Sequence, residues 1–416
     1  MTAAKTNKAQ AQRQATTPAI IALILLSGFA ALVYQILWMR QLGLVVGNTS
    51  QAAAMTLGIF FLGLACGNWF WGWRSSKITN PLRSYAWLEL GIGLGGALCL
   101  PLLHFYRAIY PALSNQLPEG GIWIAKAFLA LIMVFPASFL MGGTIPLMGK
   151  FLVREQVNFG RITASIYGIN TLGAAAGAFF AAFVFLPNLG FRLSCLAAVG
   201  ISALVAVLAL RLAKDQSSAA VPELPVESTQ TEEAAAPLPR FVIVLLAFIS
   251  GFNVLALEVL WTRMFALVHE NSVYSFAAIL VVFLLALSAG AWLASRLASR
   301  TTGPVPVLHM LCMLSGLAVC AVPGLFLRLT KDLQMLPEKS TFLSYIINLF
   351  ATAFAAIGVP CLLLGVLFPF LMKAEERFAR MPGKSIGMLA GVNTIGAILG
   401  SLFCGFFLLE SLGIWR

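Results

Sequence analysis

Two carboxylic acids stand inside apolar stretches of this chain, Glu89 in YAWLELGIGL and Glu258 in ALEVLW. A charge in hydrocarbon is costly, so such a residue faces a cavity, a partner or the membrane interface. Two readings are open for Glu258. It is a cation-binding or proton-relay group at the centre of a helical bundle, or a polar clamp at headgroup depth beside Arg263. Glu89 lies nearer the cytoplasmic end of its stretch and is a second candidate. Gln35, Asn170 and Asn393 complete the intramembrane polar set. Each asparagine precedes a threonine beside glycines, at the expected start of an apolar stretch, where it either bonds a neighbouring helix or lines a cavity. Trp38 with Arg40, and Trp261 with Arg263, are the pairing expected of interface anchors at a helix end.

Other chemistry is excluded. His104, His269 and His309 lack metal-ligand spacing, and the seven cysteines contain no CxxC pair, so neither a metal nor a disulfide set is expected. GIGLGG at 91–96 imitates a dinucleotide fingerprint, but no strand precedes it. No serine sits in a recognisable nucleophilic constellation. No catalytic residue is assigned.

The elements that position the polar residues follow from composition. The 416 residues are 60% hydrophobic and 10% charged, and the net charge is +12. Soluble domains carry about 25% charged residues. Lipid must therefore solvate most of this chain. Eleven apolar runs are long enough to span, at 18–39, 52–73, 84–104, 122–148, 163–187, 191–211, 240–262, 272–295, 305–327, 342–371 and 385–409. The first follows a basic leader, 1–16, and is a retained helix. An acidic, proline-bearing segment, 212–239, is the one linker. Most of the 27 lysines and arginines fall in loops on one side if the N-terminus is cytoplasmic, which sets that orientation. The same placement argues against nucleic acid as a partner.

The chain also repeats itself at an offset of 223. SGFAALVYQILWMRQLGLVVGNTS (27–50) lies over SGFNVLALEVLWTRMFALVHENSV (250–273). Gln35 meets Glu258, Trp38 meets Trp261 and Arg40 meets Arg263. Gly142, Pro146 and Lys150 meet Gly365, Pro369 and Lys373. YGINTLGAAAG (167–177) lies over AGVNTIGAILG (390–400). Six spans per copy is an even number, so the copies enter the membrane in the same sense. The expected fold is an all-α, major-facilitator-like membrane protein of two parallel six-helix repeats, 17–211 and 240–416. Eleven helices are visible, and a twelfth is expected beyond Arg416. Small-residue pairs at Gly63/Gly67, Gly173/Gly177, Ala286/Gly290 and Gly396/Gly400 are expected to allow close helix approach, on the four helices that line the contact between halves in the major-facilitator architecture. Pro146 and Pro369 are expected to kink their helices.

The blocks GFAALVYQILWMRQLGLVVGNTSQA, YAWLELGIGL, PASFLMGGTIPLM, YGINTLGAAAGAF, ALEVLWTRMFALV and GVNTIGAILGS resemble the membrane part of fused major-facilitator/spermidine-synthase-like proteins of bacteria. The resemblance implies residence in the bacterial inner membrane. It also implies a following cytoplasmic aminopropyltransferase-like domain that uses decarboxylated S-adenosylmethionine. No motif of that domain is present, so no cofactor is expected in this chain. The helix 2–3 loop, GWRSSKITNPLR, departs from the major-facilitator pattern in lacking its acidic residue. Three roles follow as expectations. The chain anchors such a domain and moves its substrate or product; or it transports a small cationic solute such as a polyamine; or it is a subunit of a larger membrane complex.

Overall fold

The computed structural model describes residues 2–47, 49–153, 158–216, 238–269, 273–301, 303–334 and 341–408. Those residues form helices and short turns. In order they are α1 (Thr2–Val46), α2 (Thr49–Ser75), α3 (Pro81–Gln116), α4 (Glu119–Gly142), α5 (Thr144–Leu152), α6 (Phe159–Phe180), α7 (Leu186–Gln216), α8 (Arg240–Phe265), α9 (Val273–Arg300), α10 (Pro304–Leu329), α11 (Phe342–Glu375) and α12 (Pro382–Leu402). Most of the linker, 217–237, and residues 409–416, at whose end the twelfth helix is expected to start, lie outside the described residues.

Among the described residues, ten helical stretches are long and apolar enough to cross a membrane. The sequence shows eleven runs, and the difference lies in Phe159–Lys214, 56 residues counted as one. At about 1.5 Å per residue it would reach about 84 Å, against about 30 Å of hydrocarbon. It reverses at Gly190, whose φ of 67° suits glycine. The contacts show the reversal. Gly93 approaches Ser202 while Cys195 Sγ donates to Gly96 O, so α7 runs antiparallel to α3. Side chains as large as Ile124, 73% exposed, and Met313, 70% exposed, cover the outer surface, as lipid requires.

Within each half the helices pack through glycine, and the packing repeats. A Cβ on Gly28 would lie 2.1 Å from Asn170 O, and one on Gly251 would lie 1.9 Å from Asn393 O. Gly173 and Gly177 touch the carbonyls of Leu25 and Phe29; Gly396 and Gly400 touch those of Phe248 and Phe252. Thus α6 lies on α1 as α12 lies on α8. Likewise Gly67 and Gly142 meet between α2 and α4, and Gly290 and Gly365 meet between α9 and α11. Both α6 and α12 end in a π-helical turn, Ala181–Phe185 and Phe403–Leu408, at equivalent positions.

One expectation is narrowed and one is corrected. The small-residue pairs hold each half together and do not join the halves. The four helices that carry them do form the contact between halves, α2 with α12 and α6 with α9, but through other residues. Gly72 abuts Gly387 and Ser75 abuts Gly383. Ser165 and Ser295 hydroxyls are 2.8 Å apart, and Ser288 Oγ donates to Gly168 O at 2.8 Å. The correction concerns Pro146. In the first half the helix breaks at Gly143, and Pro146 falls in the first turn of α5, where a missing N–H costs nothing. In the second half Val366 replaces that glycine, and α11 continues past Pro369.

Gly251→Ala therefore forces a backbone shift and is expected to cost about 1–3 kcal/mol, the range for overpacking. Gly316→Ala, at a position with nothing within 4 Å, serves as the neutral control. Thermal unfolding in detergent measures both.

Candidate functional site

The halves enclose a cavity of about 250 Å³ on the axis of the repeat. Most of its lining falls into pairs 223 residues apart: Ser27 with Ser250, Gln35 with Glu258, Phe60 with Phe283, Asn170 with Asn393, Thr171 with Thr394. The chamber is thus built twice from the same positions of α1, α2 and α6 and of α8, α9 and α12.

Glu258, Gln35, Asn170 and Asn393 all line this cavity. The asparagines lie in the middle of α6 and α12, not at their starts as the sequence suggested. Each sits where its helix crosses the glycine of its partner, and Asn393 Nδ2 donates to Ala247 O at 2.9 Å. Thr171 and Thr394 spend their hydroxyls on Tyr167 O and Ala390 O, both at 2.8 Å, so they line the wall without offering a free donor. Among the described residues, Glu258 is the one carboxylate in the lining, and no lysine, arginine or histidine shares it.

Glu89 is placed elsewhere. It lies behind the wall, between α1 and α3, and accepts a hydrogen bond from Ser27 Oγ at 2.5 Å. Ser27 and its mate Ser250 were visible in the aligned SGF blocks but carried no signal beyond identity. Ser250 Oγ has no hydrogen-bond partner among the described residues.

The cavity is closed on the side of the N-terminus. There the ends of α2 and α9 meet the starts of α12 and α6 through Gly72, Gly387, Ser165 and Ser295. Gly160 N–H donates to Glu376 Oε1 at 3.4 Å, a further link across the halves. At the opposite end Phe179 and Phe183 of the first half meet Phe350 and Tyr274 of the second, with ring centroids 5.8–6.4 Å apart.

The proposed tryptophan anchors are not at a lipid interface. Trp38 and Trp261 are 1% and 2% exposed. Trp38 stacks on Tyr34 at 5.4 Å, and Trp261 meets Phe283 at 6.2 Å. The neighbouring helices of each half enclose both indoles, which the sequence spacing could not reveal. Arg40 and Arg263 are exposed.

These features define a helical membrane bundle of two repeated halves, with α2, α6, α9 and α12 at their junction. No family model matches the chain, and no curated protein matches it. Among solved structures it is similar to a Major Facilitator Superfamily transporter, FucP, in the outward conformation. The two share 15% identity over 92% of this chain and 98% of that one, with a TM-score of 0.43.

In bilayers containing brominated lipid, Trp38→Phe and Trp261→Phe are each expected to leave the quenchable tryptophan fluorescence unchanged. Trp292→Phe, which removes an exposed indole, is expected to reduce it.

Proposed function

We propose that the chain binds a small organic cation in the central cavity and carries it across the membrane as a secondary transporter. One observation carries this reading: an unshared carboxylate, Glu258, in a chamber whose lining holds no basic side chain. A charge in so apolar a setting is costly without a counter-ion, and a cationic solute supplies one. Phe60, Phe283 and Phe368 offer ring faces to an alkylammonium group. Asn170 and Asn393 offer amide oxygens to its N–H donors. The closure on the N-terminal side supports one state of an alternating-access cycle. With the N-terminus in the cytoplasm of a bacterium, that closed side is the cytoplasmic one.

The resemblance to the fused spermidine-synthase-like family adds two finer elements. The solute is a polyamine or related amine, and the bundle anchors an aminopropyltransferase-like domain that uses decarboxylated S-adenosylmethionine. The cavity supports the first element and has no bearing on the second.

Reconstituted into vesicles, the protein is expected to move labelled spermidine, and Glu258→Gln to reduce that flux by roughly tenfold or more, the loss of a desolvated charge pair. Unchanged flux in Glu258→Gln, with normal thermal unfolding, would remove Glu258 from the site. Stronger competition by an organic anion than by an amine would reject the cationic class.

A further inference from the structure

Glu89 is 1% exposed, two turns into α3, and the transport reading above makes no use of it. Its Oε1 accepts from Ser27 Oγ at 2.5 Å. Ser27 is also part of the wall of the central cavity. One hydroxyl therefore separates a buried carboxyl from the chamber. We propose that Glu89 is a proton-exchange site reached from the cavity through Ser27, and that its proton is exchanged against the cation held at Glu258.

The repeat supplies an internal control for a purely structural role. The position equivalent to Glu89 is Cys312, which is exposed on α10. Ser27's mate, Ser250, still lines the cavity there. The second half thus builds the same wall without a carboxyl behind it. Packing α1 against its neighbours does not require one.

The groups in direct contact with Glu89, Ser27 and Tyr85, are neutral. Tyr85 of its own helix adjoins it, with its hydroxyl donating to Leu23 O at 3.2 Å. Tyr34 of α1 is the other phenol within electrostatic reach. From α7, Cys195 and Ser202 lie beside Tyr34, and Cys195 Sγ donates to Gly96 O. From α5, Lys150 donates to Ser75 O and Ile78 O at the end of α2. From α4, Leu140 packs on Gly91. An isolated change of charge here is expensive, so it must accompany movement that brings cavity water to Ser27. The step balances. A hydronium in the cavity gives its proton to Ser27 Oγ as the serine's own proton passes to the Glu89 carboxylate, leaving water and a carboxylic acid. The reverse step returns the proton.

The coupling half of this proposal rests on the transport reading, but proton exchange at Glu89 is measurable without it. Infrared difference spectra of the full chain in bilayers, acid minus alkaline, are expected to show a carboxylic-acid carbonyl band. It should persist in Glu258→Gln and vanish in Glu89→Gln. A band identical in Glu89→Gln, or insensitive to pH, overturns the proposal. If Glu89→Gln does not fold, Ser27→Ala keeps the carboxyl and breaks the relay; the band should then respond to a pH jump roughly tenfold more slowly or worse, and an unchanged response overturns the relay. In vesicles, Glu89→Gln is expected to lose accumulation of labelled amine driven by a pH gradient and to keep amine–amine exchange near the wild-type rate. Loss of both, or of neither, overturns the coupling. A wild-type protein that moves no amine would reject the transport reading and the coupling, while the infrared result alone would still decide Glu89.

Discussion

Helices in lipid gain nothing from hiding apolar surface from one another, because the lipid tails are equally apolar. They hold together where backbones come close enough for dispersion and weak polar contacts to act. Here that approach depends on glycines against carbonyls: Gly28 on Asn170 and Gly251 on Asn393, with Gly173, Gly177, Gly396 and Gly400 extending the seams. Every other feature of the molecule depends on these two seams. They fix α6 on α1 and α12 on α8, and so set where the polar residues of those helices point.

The central cavity follows from that geometry. Two copies of one packed unit, placed about an axis, leave equivalent residues facing each other across it. The halves then touch through a second set of small residues, Gly72, Gly387, Ser165 and Ser295, on the N-terminal side. These contacts between the halves are as close as those within each half, with glycine set against backbone as well as hydroxyl against hydroxyl.

The two copies are not identical at every position. Gln35 and Glu258 occupy equivalent places, yet one is neutral and the other a carboxylate. Glu89 is matched by Cys312, and Gly143 by Val366. A duplicated fold keeps its packing residues alike because both copies meet the same steric demand. Of these pairs only Gln35 and Glu258 line the cavity, where packing makes no such demand.

By itself the sequence determined the membrane environment and the duplicated plan, and it singled out Glu258, Gln35, Asn170 and Asn393, which the bundle brings to one cavity, because hydropathy and an offset of 223 are one-dimensional signals. It could not tell which face of a helix meets which neighbour. Glycine pairs that look alike in sequence proved to lie within the halves, and Trp38 and Trp261 proved to be core residues. Ser27 gained its meaning only when α1 was placed between the cavity and α3. Those outcomes depend on helix rotation and crossing, which only the packed bundle decides.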